Sequence, residues 1–374
     1  MIKYPDYDNS ILSVISSILK YYGYDTGHVT QKYLDEKLKK RYRNIVLMLF
    51  DGMGVSTIKK HLTPKSFLME HFIEPISSVC PSTTGCAIPT YESGLAPIEH
   101  AWLGWDMYFK EYDANITVFK NTFQGSNEKV PDCNAAQKYM PYKHIFDIIN
   151  EVTHGEVTAH DISKYSDTNE FVYSCEEMSL KVQDIAKNKV QDFVYTYLEE
   201  PDSVMHALGV DHEYVKENVR YINSLVCELC EQLEDSLVIV SADHGLLNTE
   251  AIYLSDYPKL VDMLVRRTSI ETRAVNFYVK EEYKEAFKDE FNKHFSKYFI
   301  LMTKEEILEK GLFGPGKQNA RIDEVVGDYM AFAISNKALE WEDDGFKMEA
   351  RHAGLTQEEM EVPLIVIDTN EINK

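Results

Sequence analysis

Three aspartates of this sequence each follow an apolar run. Asp51 comes after IVLMLF, Asp202 after FVYTYLEEP, and Asp243 after LVIVSA. Ligands of an open α/β sheet bind beyond the carboxyl ends of its strands, so side chains at these positions are expected to meet at one edge. A lone aspartate at such a point is commonly a helix cap or a turn former. Three together favour a shared site.

Three histidines accompany these aspartates. His206 lies four residues after Asp202, so one helical turn would bring both side chains to the same face, and His244 is adjacent to Asp243. His352 precedes the last apolar run, VPLIVI. Three carboxylates and three imidazoles form the mixed donor set that zinc prefers, with manganese or iron as alternatives. The pattern predicts two divalent metal ions, which would clamp a phosphoryl group.

A row of hydroxyl side chains, Ser82, Thr83 and Thr84, follows Pro81 and leads into a helical pattern. The ordinary interpretation is a helix cap, whose oxygens accept hydrogen bonds from the first N–H groups of the helix. A helix N-terminus also favours phosphate, and a nearby metal ion would activate a threonine hydroxyl as a nucleophile. The residues alone leave both interpretations open.

The apolar runs themselves predict buried strands. NIVLMLF, DFVYTYL, SLVIVS and VPLIVID are separated by helical patterns, which predicts an α/β fold with a doubly wound, mostly parallel sheet and helices on both faces. We expect a helical segment over residues 1–43, a catalytic α/β domain over 44–267 and 349–374, and a smaller α+β insert or cap over 268–348. The segment after Asn121 is long enough for a lid, although a surface loop is equally expected.

Composition restricts the partners. The 374 residues include 39 basic and 61 acidic side chains, for a net charge of -22, so a long polyanion would be repelled. We expect a small phosphate-ester substrate and no nucleic-acid polymer.

Neither a secretory signal nor an apolar run of about 20 residues is evident, so we expect no membrane partner and a cytoplasmic location. The six cysteines fit reduced thiols, and Cys227 and Cys230 lie in an amphipathic helical pattern.

Five motifs in a fixed order resemble the alkaline phosphatase superfamily, most closely its type I phosphodiesterase/nucleotide pyrophosphatase branch. They lie between residues 44 and 368 and read FDGMG, PSTTGCAIPTYESGLAPIEHA, EPDSVMH, SADHGL and RHAGLT. Each motif alone is weak, whereas the ordered set is specific.

The resemblance implies a mechanism. Thr84 would attack phosphorus in line and form a phosphothreonine intermediate that metal-bound water hydrolyses, with Thr83 as the alternative nucleophile. The six candidate ligands would divide into two sets, one for each ion: Asp202, His206 and His352, and Asp51, Asp243 and His244.

The leading hypothesis is therefore a two-metal phosphoric ester hydrolase acting on phosphodiesters or pyrophosphates. Alternatives are a phosphomonoesterase, phosphonate hydrolase or phosphomutase of the same superfamily, and a non-catalytic metal-stabilised binding protein. Trp102 and Trp105 are candidate substrate contacts. The resemblance leads us to expect a phosphate-binding asparagine where Ala87 stands, so the backbone amides of Gly85 or Cys86 are the candidate donors.

Overall fold

The computed structural model describes residues 1–163, 172, 174–188, 190–345 and 347–372. Its strands are, in chain order, β1 (Asn44–Phe50), β2 (Phe72–Ser77), β3 (Asp106–Phe109), β4 (Ala114–Thr117), β5 (Thr122–Phe123), β6 (Val157–Ser163), β7 (Gln191–Leu198), β8 (Ser236–Ser241), β9 (Leu247–Asn248), β10 (Glu250–Tyr253), β11 (Ser269–Ile270), β12 (Ala274–Phe277), β13 (Phe299–Thr303), β14 (Tyr329–Ala333), β15 (Lys337–Glu340), β16 (Ala350–Arg351) and β17 (Glu361–Asp368).

The helices are α1 (Ile11–Tyr21), α2 (Lys32–Lys37), α3 (Val55–His61), α4 (Phe67–Glu70), α5 (Thr84–Ser93), α6 (Pro97–His100), α7 (Ala135–Tyr139), α8 (Ile145–Val152), α9 (Cys175–Ala186), α10 (Asp202–Leu208), α11 (Glu213–Gln232), α12 (Pro258–Val261), α13 (Lys284–Phe295), α14 (Lys304–Glu309), α15 (Ile322–Val325), α16 (Gln357–Met360) and α17 (Thr369–Ile372). Short 3₁₀ turns cover Leu254–Asp256 and Glu281–Tyr283. None of the helices described has the length and apolar character needed to span a bilayer.

The central sheet has the strand order β2-β17-β8-β1-β7-β6. Strands β8, β1, β7 and β6 run parallel, whereas β17 pairs antiparallel with both β8 and β2. Every residue of β1 is buried, as its continuous apolar sequence predicts for a strand covered on both faces. The predicted α/β fold with a mostly parallel sheet is therefore confirmed.

Helices α1 and α11 follow the predicted patterns. Helix α1 places its apolar side chains in the main core, next to the central sheet. Helix α11 buries Val215, Val219 and Ile222 at three- and four-residue steps. It also carries Cys227 and the buried Cys230, and all six cysteines are free thiols.

A second sheet has the order β13-β14-β12-β11-β3-β4-β5. It combines strands from residues 106–123 with strands from residues 269–333, whereas the sequence patterns predicted strands only in the later segment. Phe287, Phe291 and Phe295 of α13 form a separate hydrophobic core with Phe277 of β12. The division of the chain into domains stays a prediction.

The two segments of the second sheet join beside the site described below. Ile270 of β11 pairs with Asp106 of β3 and has φ of 73°, in the left-handed region. Such a conformation is unfavourable for a β-branched side chain and persists only where the surrounding structure imposes it. The strained residue immediately precedes Glu271, whose carboxylate faces the site.

Candidate active site

Three neighbouring strands of the central sheet bring the predicted aspartates together. Asp51 follows β1, Asp202 begins α10 after β7, and Asp243 follows β8. Gly52 turns the chain with φ of 70°, and its N–H donates to Asp243 Oδ1 at 3.1 Å. A Cβ at Gly52 would lie 2.9 Å from Asp202 Cβ. The glycine therefore allows the three strand ends to approach one another.

The ligand-type side chains form two overlapping groups. The ligand atoms of Asp51, Asp243 and His244 all lie within 4.8 Å of one another, which is one of the predicted sets. The ligand atoms of Asp202, His244 and His352 form a second group by the same measure. His244 thus lies in both groups, whereas the sequence analysis assigned it to one.

The sixth predicted ligand, His206, adjoins the second group. Its Nε2 lies 3.2 Å from Asp202 Oδ2, and its ring centre lies 5.2 Å from that of His352. The structure therefore brings all six predicted side chains into one cluster.

Each carboxylate of this cluster has one buried oxygen that lacks a hydrogen-bond partner in the described part of the chain: Asp51 Oδ1, Asp202 Oδ1 and Asp243 Oδ2. Burial, followed by the charges of Asp243 and Asp202, raises the pKa of Asp51 well above its usual value. Buried carboxylate oxygens without donors are costly unless a cation pairs with them. The three aspartates therefore fit divalent metal ions.

The three histidines are oriented alike. Their Nδ1 atoms lie next to backbone carbonyl oxygens: His206 at 2.7 Å from Ala350, His244 at 3.2 Å from Gly245, and His352 at 3.3 Å from Ser82. A metal-binding histidine commonly donates its second ring N–H to such an oxygen, which fixes the tautomer. In each ring this contact leaves Nε2 as the atom for the metal.

Electrostatics distinguishes His352 from His206. Burial, together with the neighbouring His244 and His206, lowers the pKa of His352 well below its usual value, so the imidazole is neutral as a metal ligand must be. Burial also opposes charge on His206, but the Asp202 carboxylate and the Ala350 carbonyl outweigh it and raise the pKa of His206.

Thr84 is the hydroxyl that faces the cluster. It is the first residue of α5, and its Oγ1 lies 3.1 Å from His244 Nε2 and 3.3 Å from Asp51 Oδ2. Thr83 instead donates its hydroxyl to Glu271 Oε1 at 2.7 Å and makes no capping hydrogen bond with its side chain. The cap interpretation is therefore wrong for Thr83, and Thr84 is the hydroxyl beside the candidate metal ligands.

The first turn of α5 limits which backbone amides can reach a phosphate. The amides of Cys86 and Ala87 both donate to the Thr83 carbonyl oxygen at 2.9 Å, so the expectation for Cys86 is wrong. The amides of Thr84 and Gly85 belong to the first turn, where no intrahelical acceptor is available. Gly85 is not among the residues that line the cavity described below, and its backbone amide as a phosphate donor stays a prediction.

The expected asparagine position does not face the site. Ala87 is fully buried, and it is not among the residues that line the cavity next to Thr84. A longer side chain at this position would enter the core. Ala87 therefore lies outside the cavity wall.

Two residues of the site were missed from the sequence, of which Tyr197 contacts the cluster and Glu271 contacts its neighbours Thr83 and Trp105. Tyr197 of β7 donates its hydroxyl to Asp51 Oδ2. Glu271 of the second sheet accepts hydrogen bonds from the Thr83 hydroxyl and, at 3.0 Å, from the Trp105 amide. Burial raises the pKa of Glu271 to about 7. Tyr197 lies in a predicted strand, two residues after Tyr195 and so on the same face, but no motif marks Glu271.

A buried ion pair connects the second sheet to the loop of His352. Arg273 Nε and Nη2 donate to the two carboxylate oxygens of Glu359 at 2.6 and 2.8 Å, and both side chains are fully buried. Glu359 Oε1 also accepts from the Gly354 amide at 2.7 Å. The pair therefore fixes the backbone two residues beyond His352.

A cavity of about 1320 Å³ opens onto Thr84 and the ligand cluster. Trp102 and Trp105 both line it, and their role as substrate contacts stays a prediction. Trp102 is 4% exposed and donates Nε1–H to the Met140 carbonyl at 2.9 Å, whereas Trp105 is 37% exposed. Gln124 and other residues of the segment after Asn121 form part of the wall. Whether this segment acts as a lid stays a prediction.

Comparison with known proteins agrees with this geometry. The sequence model of the type I phosphodiesterase/nucleotide pyrophosphatase family matches residues 45–332. Murine ectonucleotide pyrophosphatase/phosphodiesterase 5 (ENPP5) is similar with a TM-score of 0.66 at 16% identity, over 86% of this chain and 87% of that chain. No curated protein matches the sequence.

Two further solved structures share the architecture. Human ENPP5 gives a TM-score of 0.67 at 15% identity, covering 86% of this chain and 87% of that one. Phosphonoacetate hydrolase from Sinorhizobium meliloti 1021 gives 0.63 at 15% identity, covering 87% and 91%. At such identities the structures show an alkaline phosphatase-like fold alone.

The family assignment comes from the sequence match, which covers more than half of the chain. It confirms the resemblance inferred from the five ordered motifs. The family is two-metal dependent, and the described residues include two groups of candidate metal ligands. The chain therefore belongs to the type I phosphodiesterase/nucleotide pyrophosphatase family of the alkaline phosphatase superfamily and is a phosphoric ester hydrolase.

Proposed function

We propose that this hydrolase is a two-metal phosphodiesterase or nucleotide pyrophosphatase with Thr84 as its nucleophile. One observation carries the proposal: the Thr84 hydroxyl lies 3.1 Å from His244 Nε2 and 3.3 Å from Asp51 Oδ2, at the edge of a cluster of six ligand-type side chains. We propose Thr84 rather than the alternative, Thr83, because the Thr83 hydroxyl donates to Glu271.

Two sets of side chains would hold the metal ions: Asp51, Asp243 and His244, and Asp202, His206 and His352. The mixed carboxylate and imidazole donors favour zinc, with manganese or iron as alternatives. When bound, two such ions would lower the pKa of the Thr84 hydroxyl and offset the negative charge that develops on the phosphoryl group.

The chain's own groups would carry out the displacement in two steps. Thr84 Oγ1 bonds to phosphorus while the bond from phosphorus to one ester oxygen breaks, and the Thr84 proton passes to the departing alkoxide, which leaves as the alcohol. The phosphoryl group, with the second ester substituent of the diester, stays on Thr84 as the phosphothreonine intermediate. Water then cleaves the bond between Oγ1 and phosphorus, releasing the phosphate product and restoring the hydroxyl. The first-turn amides of Thr84 and Gly85 would donate to phosphoryl oxygens, and Tyr197 would hold Asp51 in position.

Related proteins support a small phosphorus compound as substrate. One structure of murine ENPP5 is of an inactive variant, in which a threonine is replaced by alanine, in complex with AMP. The phosphonoacetate hydrolase structure contains phosphonoformate. The second observation keeps phosphonate hydrolysis as the alternative activity. We propose that the substrate is small and soluble, with no nucleic-acid polymer or membrane as partner, and that the enzyme acts in the cytoplasm.

The test compares Thr84→Ala with Thr83→Ala, a matched removal of the neighbouring hydroxyl. The panel is bis(4-nitrophenyl) phosphate, 4-nitrophenyl phosphate, a nucleotide sugar and phosphonoacetate, each with zinc-loaded protein. We expect wild type to favour the diester and Thr84→Ala to lose at least about 1000-fold in kcat while binding the same amount of zinc. Thr83→Ala should keep most of its activity.

Three outcomes would contradict the proposal. Wild-type protein inert toward the whole panel would favour a non-catalytic binding protein. An active Thr84→Ala variant would exclude Thr84 as nucleophile. Preference for the phosphonate over the diester would support the alternative activity.

A further inference from the structure

Glu271, which directly follows β11, lies beside the first turn of α5. A single glycine, Gly104, separates the two segments. A Cβ at Gly85 would lie 2.6 Å from the Gly104 carbonyl carbon, and a Cβ at Gly104 would lie 2.8 Å from Ile270 Cγ2. Only glycine permits so close an approach of two backbones. This packing therefore places Glu271, the residue after Ile270, next to the helix end that carries Thr84.

Two donors fix the orientation of the Glu271 carboxylate. Its Oε1 accepts a hydrogen bond from the Thr83 hydroxyl at 2.7 Å and another from the Trp105 amide at 3.0 Å. Among the described residues no group donates to Oε2, and the side chain lines the same cavity as Thr84. Oε2 is therefore the oxygen that Glu271 presents to the cavity.

The other acidic side chain of this wall, Asp106 of β3, differs in this respect. It also lines the cavity, and it pairs with Ile270 in the sheet register. Its Oδ1 accepts from the Thr117 hydroxyl, and its Oδ2 accepts from Gln124 Nε2 at 3.1 Å. Both carboxylate oxygens of Asp106 are thus bonded within the protein, whereas Glu271 keeps one oxygen for a ligand.

The charge of Glu271 lacks a cationic partner. In the described part of the chain, no lysine or arginine forms an ion pair with this half-buried carboxylate. Burial raises the pKa of Glu271 to about 7, so the carboxylate is ionised at pH 8.5. A half-buried carboxylate without a cation is costly, and such groups are concentrated at functional sites.

The field of this carboxylate reaches the ligand cluster. Burial lowers the pKa of His206, but Asp202, the Ala350 carbonyl and, to a smaller extent, Glu271 outweigh burial and raise it. A phosphoryl group held between Thr84 and the cluster would therefore experience the negative charge of Glu271 as well.

We propose that Glu271 selects the substrate by the charge of its phosphoryl group, an inference that rests on the proposed hydrolase function. A phosphodiester carries one negative charge, whereas a phosphomonoester at pH 8.5 carries two because its second pKa is about 6. The carboxylate repels the second charge, so the site prefers monoanionic diesters. The monoester that a diester leaves as product is repelled in the same way, which favours its release.

The test compares methyl 4-nitrophenyl phosphate, a monoanionic diester, with 4-nitrophenyl phosphate, a dianionic monoester, at pH 8.5. Both release nitrophenolate. Glu271→Gln keeps an acceptor at Oε1 for Thr83 and Trp105 and removes the charge at Oε2. We expect this variant to lower the ratio of kcat/KM for the diester to kcat/KM for the monoester by about tenfold. One charge–charge interaction at roughly 10 Å, with an effective dielectric constant of about 20, has an effect of this size.

A second measurement does not depend on turnover of the monoester. Methyl phosphate, which is a dianion at pH 8.5, is the product of the diester and should inhibit its hydrolysis. We expect the inhibition constant to fall by about tenfold in Glu271→Gln. Zinc content should equal that of wild type, which shows that the change acts on the anion.

Two control variants separate the charge of Glu271 from its structural contacts. Thr83→Ala keeps the carboxylate and removes one of its two donors, so it should leave the diester-to-monoester ratio unchanged. Glu217→Gln makes the same charge change at an exposed position of α11 outside the cavity. It should alter neither the ratio nor the inhibition constant.

The outcomes distinguish this inference from the function on which it rests. A purely structural Glu271 predicts that Glu271→Gln leaves the ratio and the inhibition constant unchanged, since glutamine keeps both hydrogen bonds. That result would overturn the inference and leave the hydrolase function intact, as would an equal loss of activity toward both substrates. An equal effect of Glu217→Gln would also overturn it. Failure of wild type to hydrolyse the diester would overturn the hydrolase function and this inference with it.

Discussion

The two sheets contribute to the active site in different ways. The central sheet provides candidate metal ligands at the ends of adjacent strands, with Asp51 after β1 and Asp243 after β8. The second sheet provides part of the cavity wall, with Glu271, and a buried anchor, with Arg273. The first set depends on local turns, whereas the second depends on pairing of distant segments. The candidate metal ligands are therefore positioned by short stretches of sequence, whereas the cavity wall around them is positioned by contacts between distant segments.

The largest expected effect comes from removing a ligand of the central sheet. Asp243→Asn should lower kcat/KM for the diester by at least about 1000-fold, because a metal ion contributes several kcal/mol to the transition state. Metal analysis of the same sample should show one ion fewer than in wild type. Full activity with unchanged metal content would show that the cluster does not bind the catalytic ions.

The next largest effect tests the buried ion pair that connects the second sheet to the loop of His352. Arg273→Met leaves the buried Glu359 carboxylate without its cation and should cost about 3–5 kcal/mol of unfolding free energy. The double variant Arg273→Met/Glu359→Gln removes the charge as well and should recover part of the loss. Chemical denaturation measures both. A single variant as stable as wild type would mean that the pair does not hold the two parts together.

A smaller effect is expected from Tyr197→Phe. The change removes only the hydroxyl that donates to Asp51. Loss of a group that orients a metal ligand typically costs about 10–100-fold in metal affinity or activity. Titration with zinc and a diester assay should show this loss without a change in thermal stability. Wild-type affinity would place Tyr197 outside the metal site.

Much of the central sheet and the cluster could be predicted from sequence. Continuous apolar runs predicted β1, β7, β8 and β17, because strands that are buried on both faces have no polar face. The positions of Asp51, Asp202 and Asp243 after these runs predicted that their side chains would lie together, since strand ends meet at one edge of the sheet. The four-residue spacing from Asp202 predicted that His206 would join them. What these positions share is that the geometry follows from a few neighbouring residues.

The remaining features depend on contacts that no local pattern encodes. Glu271 reaches Thr83 only because β11 pairs with β3, a strand more than a hundred residues earlier in the chain. The sharing of His244 between two ligand groups depends on how His352 packs against it, with ring centres 3.8 Å apart. Such placements are set by tertiary packing, so composition and spacing do not reveal them.

The smallest effect sharpens the role of the second sheet. Burial raises the pKa of Glu271 from 4.5 to about 7, so folding favours its neutral form. The stability contributed by that form is complete below pH 4.5 and is lost as the pH rises through 7. Glu271→Gln should therefore raise the unfolding free energy at pH 8.5 by about 1–2 kcal/mol relative to wild type, with a smaller difference at pH 6.

Glu217→Gln is the control for this pH dependence, because it changes an exposed carboxyl. It should leave stability nearly unchanged at both pH values. If Glu271→Gln has an equal effect at pH 6 and pH 8.5, the carboxyl of Glu271 does not titrate in this range.

The central claim is that six side chains hold two cations beside Thr84, and anomalous diffraction from zinc-loaded crystals tests it most directly. We predict two anomalous peaks in the cluster, one contacting Asp51 and Asp243 and the other contacting Asp202 and His352, with Thr84 Oγ1 next to them. A single peak elsewhere, or no peak in the cluster under saturating zinc, would contradict the account.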